Sequence, residues 1–149
     1  MRPPSLPARL TVITLGVGDM HRAIGFYAAL GFARKFAATG EEVAFFATGA
    51  SVLALYPWDK LAHDATLPDQ PRPAAFRGVT LAWNCTSDEE VDRVLAHAKA
   101  CGAQLIKPAH KTDYGGYSGY FSDPDGHAWE VVAVARLIVE ADGRLSLPD

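Results

Sequence analysis

Two helix-spaced apolar stripes, 71 residues apart, constrain the fold of this 149-residue chain more than any other feature. Met20, Ala23, Ile24, Tyr27 and Leu30 recur at helical spacing and make one buried face. Val91, Val94, Leu95, Ala98 and Cys101 repeat that stripe, and Gly102 repeats Gly31 as the residue that ends the helix. Asp19 stands at the N-cap of the first helix, and Ser87 with Glu90 forms a capping box at the second. A strand candidate precedes each helix, over 9–17 and 77–85, and three follow it. In the first half those three are 32–38, 42–47 and 51–56. In the second they are 103–107 and, after a loop to Tyr114, a hairpin within 115–132. The order is strand-helix-strand-strand-strand, twice. One such half covers one face of its sheet with its single helix and leaves the other open, to be buried or used. Two halves side by side make an α+β domain with one curved mixed sheet and a helix outside each half.

The hairpin of the second half carries the most distinctive chemistry. Asp123-Pro124-Asp125-Gly126 is a turn in which Pro124 pre-sets φ, Asp123 can bond its own backbone and Gly126 tolerates positive φ. The strand that follows places Ala128, Glu130 and Val132 on one face and Trp129 and Val131 on the other. A carboxylate in so apolar a strand lies at an edge, is paired, or lines a cavity.

This hairpin and the upstream run Asp19-Met20-His21-Arg22-Ala23-Ile24-Gly25-Phe26-Tyr27-Ala28-Ala29-Leu30-Gly31-Phe32 together resemble the vicinal oxygen chelate superfamily. That superfamily holds glyoxalase I, bleomycin resistance proteins and extradiol dioxygenases. The resemblance covers roughly residues 9 to 135. It implies two tandem βαβββ modules whose sheet folds into a cup around a ligand. Module one spans about 9–57, a connection 58–76, module two about 77–135, and a C-terminal hairpin 136–149 turns at Ala141-Asp142-Gly143. It also implies homodimers, and in the enzymes a divalent metal held by His and Glu from the first and fourth strands of each module.

Only Glu130 matches such a ligand position. The first strand offers residues near Val12, the fourth offers Ala54, and no His, Asp, Glu or Gln occurs from Arg77 to Asn84. One carboxylate does not hold a catalytic ion against water. The expectation is therefore no metal cofactor. If there is one, His63 or His110 would join Glu130 from a loop. His127 and Glu130 are three apart on a strand and point to opposite faces. Glu130 itself can be a general base, an acceptor for a cationic ligand group, or a structural hydrogen-bond acceptor.

Tyr56, Trp58, Trp83, Tyr114, Tyr117 and Tyr120 lie in or beside the strands and loops that would line the cup, as candidate walls of a small-molecule pocket. The first expectation is metal-independent binding of a small molecule. The alternatives are a lyase, isomerase or dioxygenase with a non-standard metal site, and a dimeric module with a vestigial pocket. The net charge of −3 and pI near 5.9 give no basic excess for nucleic acid. No apolar run approaches the ~18 residues of a membrane span. The Pro-rich start, 1–7, reads as an extended lead-in without the core of a signal peptide. Cys85 and Cys101 read as reduced thiols, and the chain as cytoplasmic. Pro57, Pro68, Pro71 and Pro73 mark 57–76 as irregular. His21 and His97 fall on the polar faces of their helices.

Overall fold

The computed structural model describes residues 6–68 and 75–149; most of the lead-in, and Pro71 and Pro73 of the connection, lie outside them. The first half runs β1 (Val12–Val17), α1 (Met20–Leu30), β2 (Ala33–Lys35), β3 (Ala44–Ala47) and β4 (Val52–Pro57). A short helix, α2 (Trp58–Asp64), leads out of it. The second half runs β5 (Thr80–Asn84), α3 (Asp88–Ala100), β6 (Gln104–Lys111), β7 (Gly116–Ser122) and β8 (Ala128–Val134). A small pair, β9 (Ile138–Val139) and β10 (Leu145–Ser146), closes the chain.

Each half forms a four-stranded mixed sheet with the same topology, β1-β4-β3-β2 and β5-β8-β7-β6. The first strand pairs parallel with the fourth in both. The two βαβββ modules form the expected α+β arrangement; among the described residues no ladder joins their sheets, which meet through side chains. The apolar faces of both helices and both sheets share one core. It runs from Leu15, Tyr27, Phe46 and Leu55 in the first half to Val91, Leu95, Phe121, Trp129 and Val131 in the second. Tyr27 and Trp129 meet with ring centroids 6.0 Å apart, across the boundary between the halves.

The helix caps form as their residues dictate. Asp19 accepts from the Arg22 N–H and Ser87 from the Glu90 N–H. The Glu90 carboxylate reaches back one residue further than a capping box requires, to the N–H and hydroxyl of Thr86. The spacing of 71 residues holds along the helices, whereas Thr14 and Ala82, matched through their strand partners Ala54 and Glu130, lie closer in sequence.

Several boundaries differ from the sequence reading. β2 stops at Lys35 because Phe36 takes φ 53°, in the left-handed region, and opens a 3-10 turn. β6 continues past Pro108 to Lys111, so His110 sits in a strand and not in a loop. Proline is tolerated there because β6 is an edge strand, and the ladder shifts register on either side of Lys107. The proline-marked connection begins with a helix. Pro57 is its N-cap, at the helix end where a missing N–H costs nothing. The closing hairpin forms about the expected turn and presses on the first half: a Cβ on Gly49 would collide with the Asp142 carbonyl oxygen.

Candidate functional site

The Asp123–Gly126 turn does more than reverse the chain. Asp123 is buried, and its Oδ1 accepts the backbone N–H of Asp125 and of His127, both at 2.9 Å. Its Oδ2 accepts the Tyr27 hydroxyl at 2.6 Å, and that hydroxyl in turn accepts from the Trp129 indole N–H at 3.1 Å. Asp125 Oδ1 accepts the Gly18 N–H at 2.8 Å and the Arg22 guanidinium at 3.2 Å. Two buried carboxylates of the second half thus dock on α1 of the first, Asp125 at its start and Asp123 at Tyr27. Burial, reinforced by the Asp123 charge, pushes the Tyr27 phenol well above its ordinary range, so it stays a donor.

This docking sets His127 beside β1. The His127 Nε2–H donates to the Gly16 carbonyl at 2.7 Å, which leaves Nδ1 as the acceptor for Arg77 Nη1 at 3.1 Å. Arg77 Nη2 also donates to the Asp125 carbonyl at 2.8 Å. The guanidinium carbon lies 5.0 Å over the Trp58 ring, and the Trp58 and His127 rings stack at 6.2 Å. Gly16 leaves little room here: a Cβ would come 3.0 Å from Trp58 Cε3. Residues from four distant stretches therefore assemble one wall.

That wall borders a cavity of about 1100 Å³, enough for a drug-sized molecule. β1 and α2 bound it on one side, and β5, β6 and the adjoining ends of β7 and β8 on the other. Its walls are mainly apolar, among them Leu61, Phe76, Val79, Leu105 and Ile106. Phe76, Val79, Leu105 and Ile106 remain exposed at its opening. Tyr120, Ser122, Thr80 and Gln104 supply polar groups.

Of the six aromatics expected at the pocket, Trp58 and Tyr120 line this cavity. Tyr56 borders a separate cleft of about 530 Å³ along α2, together with His63. Trp83 faces the core: it pairs with Val131 across the β5–β8 ladder and packs on Phe32 at 5.4 Å. Tyr117 lies on the helix side of β7 and donates to Asp92 of α3 at 2.8 Å. Tyr114 is 49% exposed outside the cavity. A single-residue change of strand phase decides between core and pocket, and aromatic content alone does not reveal it. Arg77 and His127 were missed. Their only signal in the sequence is the proximity of His127 to the turn.

Glu130 lies on the same sheet face as Tyr120 and Ser118, and its Oε2 accepts both hydroxyls, at 3.0 and 3.1 Å. Burial, and then this bond to Glu130, raise the Tyr120 phenol above its ordinary range. The donor set for a divalent ion is thin. Ala82 pairs with Glu130, and the corresponding pair in the first half is Thr14 and Ala54. Both His127 nitrogens are committed. His63 is exposed on α2, and His110, exposed on β6, faces the Pro108 carbonyl. Among the described residues no three His, Cys, Asp or Glu side chains cluster. A catalytic ion takes about three protein ligands, which these residues do not supply.

His97, on the polar face of α3, is exposed and also bridges the halves: its Nε2–H donates to the Ala29 carbonyl at 2.8 Å. His21 stays exposed, 3.1 Å from Glu41. Among the described residues no helix is long and apolar enough to cross a membrane.

Comparison with known proteins bears on this geometry. The chain is 29% identical over 121 residues to metallothiol transferase FosB of Shouchella clausii, covering 80% of this chain and 75% of that protein. A glyoxalase-related enzyme from Fulvimarina pelagi superposes with a TM-score of 0.84 at 31% identity, over 95% of this chain and 99% of that one. The fosfomycin resistance protein FosX of Listeria monocytogenes superposes with a TM-score of 0.64 at 26% identity, over 86% and 94% of the two chains. The family model of the Glyoxalase/Bleomycin resistance protein/Dioxygenase superfamily matches residues 9–131, most of both repeats, and the chain belongs to that superfamily.

Proposed function

We propose that this protein binds a small organic molecule with a largely apolar body in the cavity beneath Trp58, without a catalytic metal. The observation that carries this reading is the cavity itself. A space of about 1100 Å³, mainly apolar, is walled on one side by an ordered Trp58–Arg77–His127 stack. Apolar walls with a few placed polar groups are the common form of a small-molecule site. The Glu130 carboxylate, tied to Ser118 and Tyr120, fits a polar anchor in the sheet better than a lone metal ligand.

The test is a pair of titrations. A naphthalene-based fluorophore is expected to bind wild type saturably and to bind Trp58→Ala about tenfold more weakly, the scale of one lost aromatic contact. Calorimetry with Zn²⁺, Mn²⁺ and Ni²⁺ is expected to show no tight one-to-one binding. Stoichiometric metal uptake that disappears in Glu130→Gln would overturn the metal-free reading.

One observation favours a second reading. The FosB relative is named a metallothiol transferase, and its likeness extends over 80% of this chain. On that reading Glu130 contributes one ligand and His63 or His110 joins it. The same calorimetric titration separates the two.

A further inference from the structure

Among the described residues, one cavity-lining side chain, Tyr120, has a hydrogen-bonding sense fixed by what lies behind it. A phenol carries one proton and two lone pairs. Tyr120 lines the cavity, and its hydroxyl donates that proton to Glu130 Oε2 at 3.0 Å. The same carboxylate oxygen takes the Ser118 hydroxyl at 3.1 Å, from a side chain that is itself fully buried. Glu130 is therefore anchored from inside the sheet, and the Tyr120 proton is held away from any ligand. What the phenol oxygen has left to offer is a lone pair.

The other polar groups do not discriminate in this way. Ser122 and Thr80 are hydroxyls that rotate to donate or accept, and the Gln104 amide offers both a donor and an acceptor. His127 is engaged on both nitrogens, and Arg77 bonds His127 and the Asp125 carbonyl while lying over Trp58. These last two shape the wall.

We infer that the molecule taken up here carries a hydrogen-bond donor, a hydroxyl or an N–H, that docks on the Tyr120 phenol oxygen, with an aromatic or aliphatic body against the apolar walls. This rests on the cavity being the binding site, and it names the class of ligand that the site selects. A ligand offering only acceptors at that point would meet lone pairs with lone pairs. An unpaired buried acceptor is costly enough to separate two otherwise equal ligands by about tenfold or more. Tyr120 acts as a specificity-determining residue, and Glu130 as the positioning residue that fixes its polarity.

The probes are β-naphthol and its methyl ether, which share one aromatic body and differ in the donor. Both are titrated into the full chain by calorimetry. Wild type is expected to prefer the naphthol by about tenfold. In Glu130→Gln the side-chain amide can donate to Tyr120, which frees the phenol proton for the ligand. The preference is then expected to shrink to within about twofold or to reverse. In Tyr120→Phe the preference is expected to vanish while the ether keeps its affinity. Equal binding of the two probes by wild type, or a preference unchanged in both variants, overturns the inference and leaves the cavity reading standing. If neither probe binds, the cavity reading itself falls and takes this inference with it. The wild-type comparison decides even if a variant fails to fold.

Discussion

Replacing Asp123 by alanine should cost this protein more than any single truncation on the cavity walls. Asp123 is 3% exposed, and its carboxylate accepts three hydrogen bonds: from the Tyr27 hydroxyl and from the N–H groups of Asp125 and His127. Alanine leaves three donors, two of them buried, without their acceptor. Each such loss is worth about 1–3 kcal/mol, and water entering the vacated space returns part of it. A loss of about 4 kcal/mol is expected, against a total stability of about 5–15 kcal/mol for a domain. That corresponds to a fall in Tm of roughly 10–15 °C for a chain of this size. Tyr27→Phe removes one donor and leaves the Trp129 indole N–H without its acceptor, for about 1–3 kcal/mol. Since the two residues share a bond, the double variant should cost less than the two singles together. The coupling should be about 1–2 kcal/mol. Urea unfolding of the four proteins, followed by tryptophan fluorescence, measures all of this. Asp123→Ala within 1 kcal/mol of wild type, or a coupling near zero, would refute the claim that this turn fastens the two halves together.

Other outcomes can be checked alongside. Gly16→Ala should push a methyl group into Trp58, whose Cε3 would lie 3.0 Å away; a loss of about 1–3 kcal/mol and weaker fluorophore binding are expected in the same variant. The Tyr27 phenol has its pKa raised in the folded state, so its contribution to stability is complete below its unfolded value of about 10 and is lost as pH rises through the folded value. Thermal melts should therefore fall more steeply above about pH 10 in wild type than in Tyr27→Phe. Burial pushes the Cys85 thiol up to about 12, whereas Cys101 is only partly covered. Iodoacetamide at pH 8 should accordingly label Cys101 in the folded protein and spare Cys85, as mass spectrometry of the peptides would show.

The sequence by itself determined the repeated unit, since helical periodicity, two caps and two closing glycines are local signals that need no partner. It also placed Glu130 on the opposite face from Trp129, because a strand alternates whatever it packs against. Tertiary structure decided the rest of the site. Trp83 and Tyr120 carry the same kind of signal in sequence, yet one packs on Phe32 behind the sheet and the other borders the cavity. α2 was hidden because a proline reads as a breaker until it is seen at a helix N-terminus. The wall that matters most joins Gly16, Trp58, Arg77 and His127, contributed by β1, α2, the lead into β5 and the turn before β8. No periodicity within any of those segments encodes their meeting. It follows from Asp123 and Asp125 docking on α1, which are long-range contacts that only the folded chain brings together.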